Sequence, residues 1–160
     1  ASRMEKMLIS GVAKDVNVAR ISVIGVPDEP GMAFKLFSRL AAKDINIDII
    51  LQSIGRDGTK DITFTVSSSY LRDALAILDS EFDHPNYIYD DNVAKVSIVG
   101  AGMETHAGVA SKMFEALYAA QVNIQMIATS EIKVSVLIDR ADADRAVRAI
   151  HSAFFSEALS

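Results

Sequence analysis

The side chains that most often perform catalysis are scarce in this sequence and poorly placed for it. Its three histidines, His84, His106 and His151, have no metal-ligand spacing to one another and each reads as a lone surface residue. There is no cysteine, which excludes thiolate nucleophiles, disulfides and cysteine-ligated metals together. Residues Gly100-Ala101-Gly102-Met103-Glu104-Thr105 open like a dinucleotide-binding turn but lack its third glycine. Neither a phosphate-binding G-x-x-x-x-G-K-[ST] loop nor a G-x-S-x-G nucleophile turn is present. Asp28-Glu29 and Asp90-Asp91 are carboxylates adjacent in sequence, for which turn and capping roles suffice. The expectation is a chain with no catalytic residues, no metal site and no cofactor.

Binding chemistry is better represented. The run Gly25-Val26-Pro27-Asp28-Glu29-Pro30-Gly31 joins an apolar stretch to a segment of helical periodicity. Gly31 lets backbone approach a ligand, and the first turn of the helix offers unpaired N–H groups and a positive dipole end that suit a carboxylate. Asp28 is either a turn or N-cap residue or the acceptor for an ammonium group; in the latter case the loop matches the two charged ends of a free amino acid. Asn46-Ile47 and Asn123-Ile124 stand at the entries to two corresponding strands, where Asn reads as a helix C-cap, a turn or a ligand contact. Gln52 is the polar member of a mostly apolar strand, facing solvent or a ligand at an interface. Thr129-Ser130-Glu131 occupies the matching place later in the chain.

Composition narrows the partners. Half of the 160 residues are apolar and 23% are charged, enough to bury a core. A net charge of −5 repels phosphate backbones, so no nucleic acid is expected. Interleaved basic and aromatic residues are lacking too, and the middle strands carry Ile, Met, Thr and Gln where an RNA-binding sheet displays aromatics. No apolar run reaches the roughly 18 residues that span a bilayer, and no apolar secretory segment opens the sequence, so a cytoplasmic chain with no membrane partner is expected. Met4-Glu5-Lys6 reads as a start.

What positions the candidate residues is a duplication. Residues 20–26, RISVIGV, match 95–101, KVSIVGA. Residues 31–47, GMAFKLFSRLAAKDINI, match 108–124, GVASKMFEALYAAQVNI, with eight identities: Gly, Ala, Lys, Phe, Leu, Ala, Asn and Ile. In the first copy, apolar alternation predicts strands at 20–26, 46–54, 60–67 and 86–89. Helical spacing of Ala33, Leu36, Phe37, Leu40 and Ala41 predicts a helix over 32–43, and Leu71, Leu75 and Leu78 a second over 69–82. Ile47, Ile49 and Leu51 are expected on one strand face. The order βαββαβ is the ferredoxin-like split motif. The second copy predicts strands at 94–100, 124–130 and 132–138 and helices at 106–120 and 141–154, then ends in Ser156–Ser160 without a fourth strand. The segment Lys6–Ala13 is expected to supply it, so that an exposed sheet edge is covered. The fold class is therefore α+β, with two tandem modules of antiparallel sheet. Residues 16–92 form the first, and residues 1–15 plus 93–160 form the second, whose sheet the N-terminal strand completes.

The motifs GVAKD (11–15), PDEPG (27–31), NIDIILQ (46–52), DITFTV (61–66), KVSIVGAGM (95–103) and MIATSEIKVSVLI (126–138) resemble the ACT-domain family, in particular the regulatory region of aspartate kinase. The resemblance covers nearly the whole chain, and the catalytic kinase domain of that family is absent from it. It implies a regulatory β subunit or an equivalent regulatory region, partnered by a catalytic α subunit, that mediates feedback inhibition of lysine, threonine and methionine synthesis. Threonine or lysine, or both, would bind at the interface of a homodimer in which the first module of one chain faces the second module of the other. On that resemblance Asp28, Gly31, Ala33, Ile47 and Gln52 contact effector from the first module, and Gln121, Asn123 and Ile124 reach in from the partner. Thr129, Ser130 and Glu131 form a second candidate effector site, tied to lysine. Residues 103–106 lack the Asp and Pro-Gly of 27–31, so the two loops are not expected to bind equivalently. The alternatives are a stand-alone amino-acid sensor acting on another partner, or a small enzyme of the same fold, for which no catalytic base is evident.

Overall fold

A computed structural model describes residues 9–82, 86–100 and 107–155 of the chain. Its elements follow in the order β1 (Ile9–Pro27), α1 (Met32–Ala42), β2 (Ile47–Gln52), β3 (Thr59–Ser67), α2 (Leu71–Glu81), β4 (Tyr87–Gly100), α3 (Ala107–Ala119), β5 (Met126–Thr129), β6 (Lys133–Asp139) and α4 (Ala143–Phe155). A single 3-10 turn, Ser68–Tyr70 or Arg140–Asp142, leads into α2 and α4 respectively. Residues 1–8, 83–85 (with His84), 101–106 (with His106) and 156–160 lie outside the described residues.

Two compact units divide the chain. The first module comprises Asn17–Asp91; the second joins the described residues before Asn17 to those from Asn92 onward. In the first module the strand order is β2-β3-β1-β4, with β3 antiparallel to both β1 and β2. In the second it is β1-β4-β6-β5, with β6 antiparallel to both β4 and β5. Each is the sheet order of a ferredoxin-like βαββαβ unit.

The helices cover one sheet face in each module because their apolar stripes need it. Leu36 and Leu40 of α1 and Ala74, Ile77 and Leu78 of α2 pack with Ile21, Val23, Ile62, Phe64 and Val66 of the first sheet. Phe37 meets the edge of the Phe64 ring at 5.6 Å between centroids. In the second module Val109, Met113 and Leu117 of α3 and Ala146, Ile150 and Phe154 of α4 pack with Val96, Ile98, Val134, Val136 and Ile138. Val12 and Val16, from the early part of β1, pack against this same core. The copies also repeat a cross-strand hydroxyl pair: Ser22 with Thr63 at 2.9 Å, and Ser97 with Ser135 at 2.6 Å.

Three sequence expectations need correction. The strands expected at 6–13 and 20–26 are, over the described residues, one continuous strand, and so are those at 86–89 and 94–100. The polar runs Lys14-Asp15 and Asp90-Asp91-Asn92 interrupt the apolar alternation, yet strand formation depends on backbone groups and both strands run through them. Leu51 does not share a buried face with Ile47 and Ile49. The β2–β3 register shifts between Ile47 and Ile50, leaving Ile49 buried and Ile50 and Leu51 exposed.

Candidate functional site

The end of β1 is shaped for a tight exit. Its pairing with β3 shifts between Val23 and Val26, where Gly25 takes the left-handed φ of 70°. The Gly25 amide donates to Asp61 Oδ1 at 3.0 Å. Beyond Pro27 the Asp28 amide donates to the Gly58 carbonyl at 2.8 Å, which ties the 27–31 loop to the β2–β3 turn. Gly31 is the residue before α1, with φ 92°, and no side chain caps that helix. The N-cap role open to Asp28 is thus taken by Gly31, and the Asp28 carboxylate is turned elsewhere.

That carboxylate lies 3.5 Å from Lys60 Nζ. Gly55 packs against it so closely that a Cβ there would overlap the Asp28 side chain. The neighbouring ends of β2 and β3 are clamped, since Ser53 N donates to the Asp61 carbonyl at 2.9 Å and Asp61 N to Ser53 Oγ at 2.8 Å. Beside them is an open hollow of about 520 Å³ lined by Ser53, Ile54, Arg56, Asp57, Thr59, Lys60 and Asp61.

Asp28 and Gly31 therefore lie together at the β1–α1 junction, with Ala33 just inside α1. Gln52 is exposed at the same end of the sheet, opposite Ile62, which in turn stands opposite Val23. Ile47 is at the other end of β2, opposite Val66 and about 17 Å along the strand from Gln52. The side chains of Ala33 and Ile47 are partly buried against the first core and that of Ile124 against the second. Gln121 and Asn123 are exposed in the second module, just after α3. Thr129 closes β5 opposite Val134, and Glu131 is exposed. Ser130 is occupied by the hairpin: its amide donates to the Lys133 carbonyl at 2.8 Å and its Oγ accepts from Lys133 N at 3.2 Å.

Asn46 and Asn123 are not the residues that turn the chain out of the helices. Asp44 and Gln121 are, each with φ 58°. In both copies the following amide closes a six-to-one bond, Ile45 N to the Leu40 carbonyl at 3.1 Å and Val122 N to the Leu117 carbonyl at 2.9 Å. This is the Schellman ending, with its apolar clasp supplied by the buried pairs Ile45/Leu40 and Val122/Leu117. Residues Asp44 and Gln121 correspond in the repeat, a signal available in the sequence. Among the described residues the second exit alone has a side-chain brace: Arg145 Nε donates to the Ala120 carbonyl at 2.9 Å and its Nη2 to the Gln121 carbonyl at 3.3 Å and to Asp142 at 3.0 Å.

Electrostatic perturbation falls outside these sites. The Tyr87 phenol donates to Asp79 at 2.9 Å, and that bond, then burial and the Asp79 charge, hold its pKa above the usual value. The Lys14 ammonium 2.7 Å from Asp144 holds that carboxyl below its usual range, through the hydrogen bond first and the charge second. His151 is exposed and stacks on Phe155 at 4.8 Å. Among the described residues no group of three or more His, Asp or Glu side chains could hold a metal, and no helix is long and apolar enough to cross a membrane.

Two ferredoxin-like βαββαβ units in tandem define a class of regulatory module, and the chain belongs to it: residues 21–82 and 96–154 match the ACT domain family. More particularly, the chain is similar to aspartate kinase regulatory subunits. It superposes on the regulatory subunit of aspartate kinase from Thermus thermophilus in its ligand-free form with a TM-score of 0.88 and 40% identity, covering 92% of this chain and 99% of that one. Against a structure of aspartokinase α and β subunits the TM-score is 0.83 at 46% identity, over 91% of this chain and 98% of that one. The aspartate kinase of Stutzerimonas stutzeri is 49% identical over 154 residues, 94% of this chain. The chain spans 37% of that relative's length.

Proposed function

We propose that this chain is the regulatory part of an aspartate kinase, contributes no catalytic group, and works in the cytoplasm as a sensor of free threonine or lysine. The observation that carries the reading is the β1–α1 junction: the Asp28 carboxylate next to a helix start at Gly31 that no side chain caps. An amino acid needs an acceptor for its ammonium and donors for its carboxylate; the Asp28 carboxylate is the candidate acceptor, and the Ala33 and Phe34 amides of the first helical turn are the candidate donors, Met32 N being bonded to the Glu29 carbonyl. Asp28, Gly31, Ala33 and Gln52 form the first-module half of the site, and Ile47, at the far end of β2, is a separate effector contact of the same module. Gln121, Asn123 and Ile124 of a second copy form the other half, and Thr129, Ser130 and Glu131 a further lysine-responsive position. The reading takes residues 16–92 as one ACT module and 1–15 with 93–160 as the other.

A homodimer has support in the sheet edges. Strand β2 ends the strand order of the first module and β5 that of the second, and they expose Ile50, Leu51 and Ile127. Apolar side chains on unpaired edges favour addition of another chain. Effector held between copies would favour one arrangement of the dimer, which the catalytic α subunit would read. Coupling of about 1–3 kcal/mol gives roughly 5- to 150-fold control, provided the ligand binds one arrangement better than the other.

Calorimetric titration with threonine, lysine and methionine tests this. Asp28→Ala is expected to weaken binding with the unfolding transition unchanged; unaltered affinity removes Asp28 from the site. Gln52→Phe is expected to make the reconstituted kinase resistant to feedback, and normal inhibition would count against Gln52.

A further inference from the structure

We propose that Lys60 is a tethered competitor for the ligand: in the free protein its ammonium occupies the place on Asp28 that an amino acid's ammonium must take, and binding swings it away. The inference rests on the reading of Asp28 as the ammonium acceptor. Lys60 Nζ stands 3.5 Å from Asp28 Oδ1, and the lysine side chain is only 16% exposed while that of Asp28 is 45% exposed. The lysine is laid down along the protein with its charge on the carboxylate, and the carboxylate keeps a side open to an incoming group. On another side lies Gly55, where a Cβ would overlap the carboxylate.

Register explains why Lys60 reaches. It stands opposite Val26 across the bulged end of the β1–β3 ladder, two residues before Asp28 in the chain. The side chain also has somewhere to go. Lys60 lines the 520 Å³ hollow together with the acidic residues Asp57 and Asp61, the latter also accepting from the Gly25 amide. Swinging from Asp28 into that hollow keeps the ammonium beside negative charge, so the exchange costs less than bare desolvation of a cation would. The free and bound states then carry the same number of cations on Asp28, and affinity is set by the difference between two similar ion pairs. A half-exposed pair of this length is weak, so the competitor lowers affinity modestly and sets the ligand concentration at which the site fills.

The test is calorimetric titration of threonine and lysine into the wild-type chain, Lys60→Met, Lys60→Gln and Asp28→Ala at low and high salt. With the competitor removed, affinity is expected to rise roughly two- to five-fold in both Lys60 variants. Salt is expected to weaken binding more steeply in them than in the wild type, where it also loosens the Lys60 pair. Unchanged or weaker affinity in both Lys60 variants, with Asp28→Ala still impaired, overturns the competition alone. No binding to the wild-type chain, or wild-type affinity in Asp28→Ala, overturns the site and this inference together.

Discussion

The two helix exits share a backbone and differ in their bracing. After α1 and after α3 the chain turns through a left-handed residue, Asp44 or Gln121, and closes the same six-to-one bond. After α3 the Arg145 guanidinium then grips the carbonyls of Ala120 and Gln121. The position of α2 that corresponds to Arg145 in the repeat is Asp73, which has no guanidinium to offer. Conversely, the charged Asp28–Lys60 arrangement belongs to the first module, and residues 103–106 lack its Asp and Pro-Gly. Duplication preserved the instructions for folding, while the polar side chains diverged. The first copy carries a charged pair beside its β1–α1 loop; in the second, Arg145 braces the turn that precedes Asn123 and Ile124.

The comparison breaks if the shared part is not equally stabilising. Leu40 and Leu117 are buried and anchor the two endings. Leu40→Ala and Leu117→Ala are each expected to cost about 2–5 kcal/mol, read by urea denaturation. Costs that differ by more than the spread of that range would mean the copies do not use their endings alike. Next in size, Gly55→Ala forces the Asp28 carboxylate to move and is expected to lower amino-acid affinity about tenfold, the worth of one charge-assisted contact. The bracing sharpens the contrast further. Arg145→Ala is expected to cost about 1 kcal/mol, discounted because the side chain is 46% exposed. Hydrogen exchange at the Val122 amide should quicken, whereas Asp73→Ala should leave exchange at Ile45 unchanged.

The smallest effect concerns β1 and the start of α4. Because Lys14 lowers the Asp144 pKa in the folded state, its contribution is present above the ordinary carboxylate value and is lost as pH falls through the lowered one. Stability curves of the wild type and Asp144→Asn against pH should separate near neutrality and converge in acid. Curves that stay parallel would show the pair to be without thermodynamic weight.

Much of the fold was legible because the repeat could be read against itself. Leu36, Phe37 and Leu40 with Met113, Phe114 and Leu117 fix the helices twice over, and the alternation at 62–66 and 134–138 does the same for central strands. The candidate site could be proposed from the sequence at Asp28 and Gly31, where residue type and the strand-to-helix position coincide. Lys60 was not: it meets Asp28 only once the β1–β3 register, including the bulge after Val23, is known. Gly55 was hidden for the same reason, since its closeness to Asp28 depends on where the β2–β3 turn folds back. Arg145 escaped because its partners are backbone carbonyls, which leave no trace in residue type.

The central claim is that one site is built by two copies of the chain. Asp28→Ala and Asn123→Ala chains should each bind threonine or lysine poorly alone. Mixed, allowed to exchange and titrated by calorimetry, they should regain wild-type affinity in about half as many sites per mixed dimer, because one of its two sites then takes Asp28 from one chain and Asn123 from the other. A mixture that binds no better than its components would contradict a shared site.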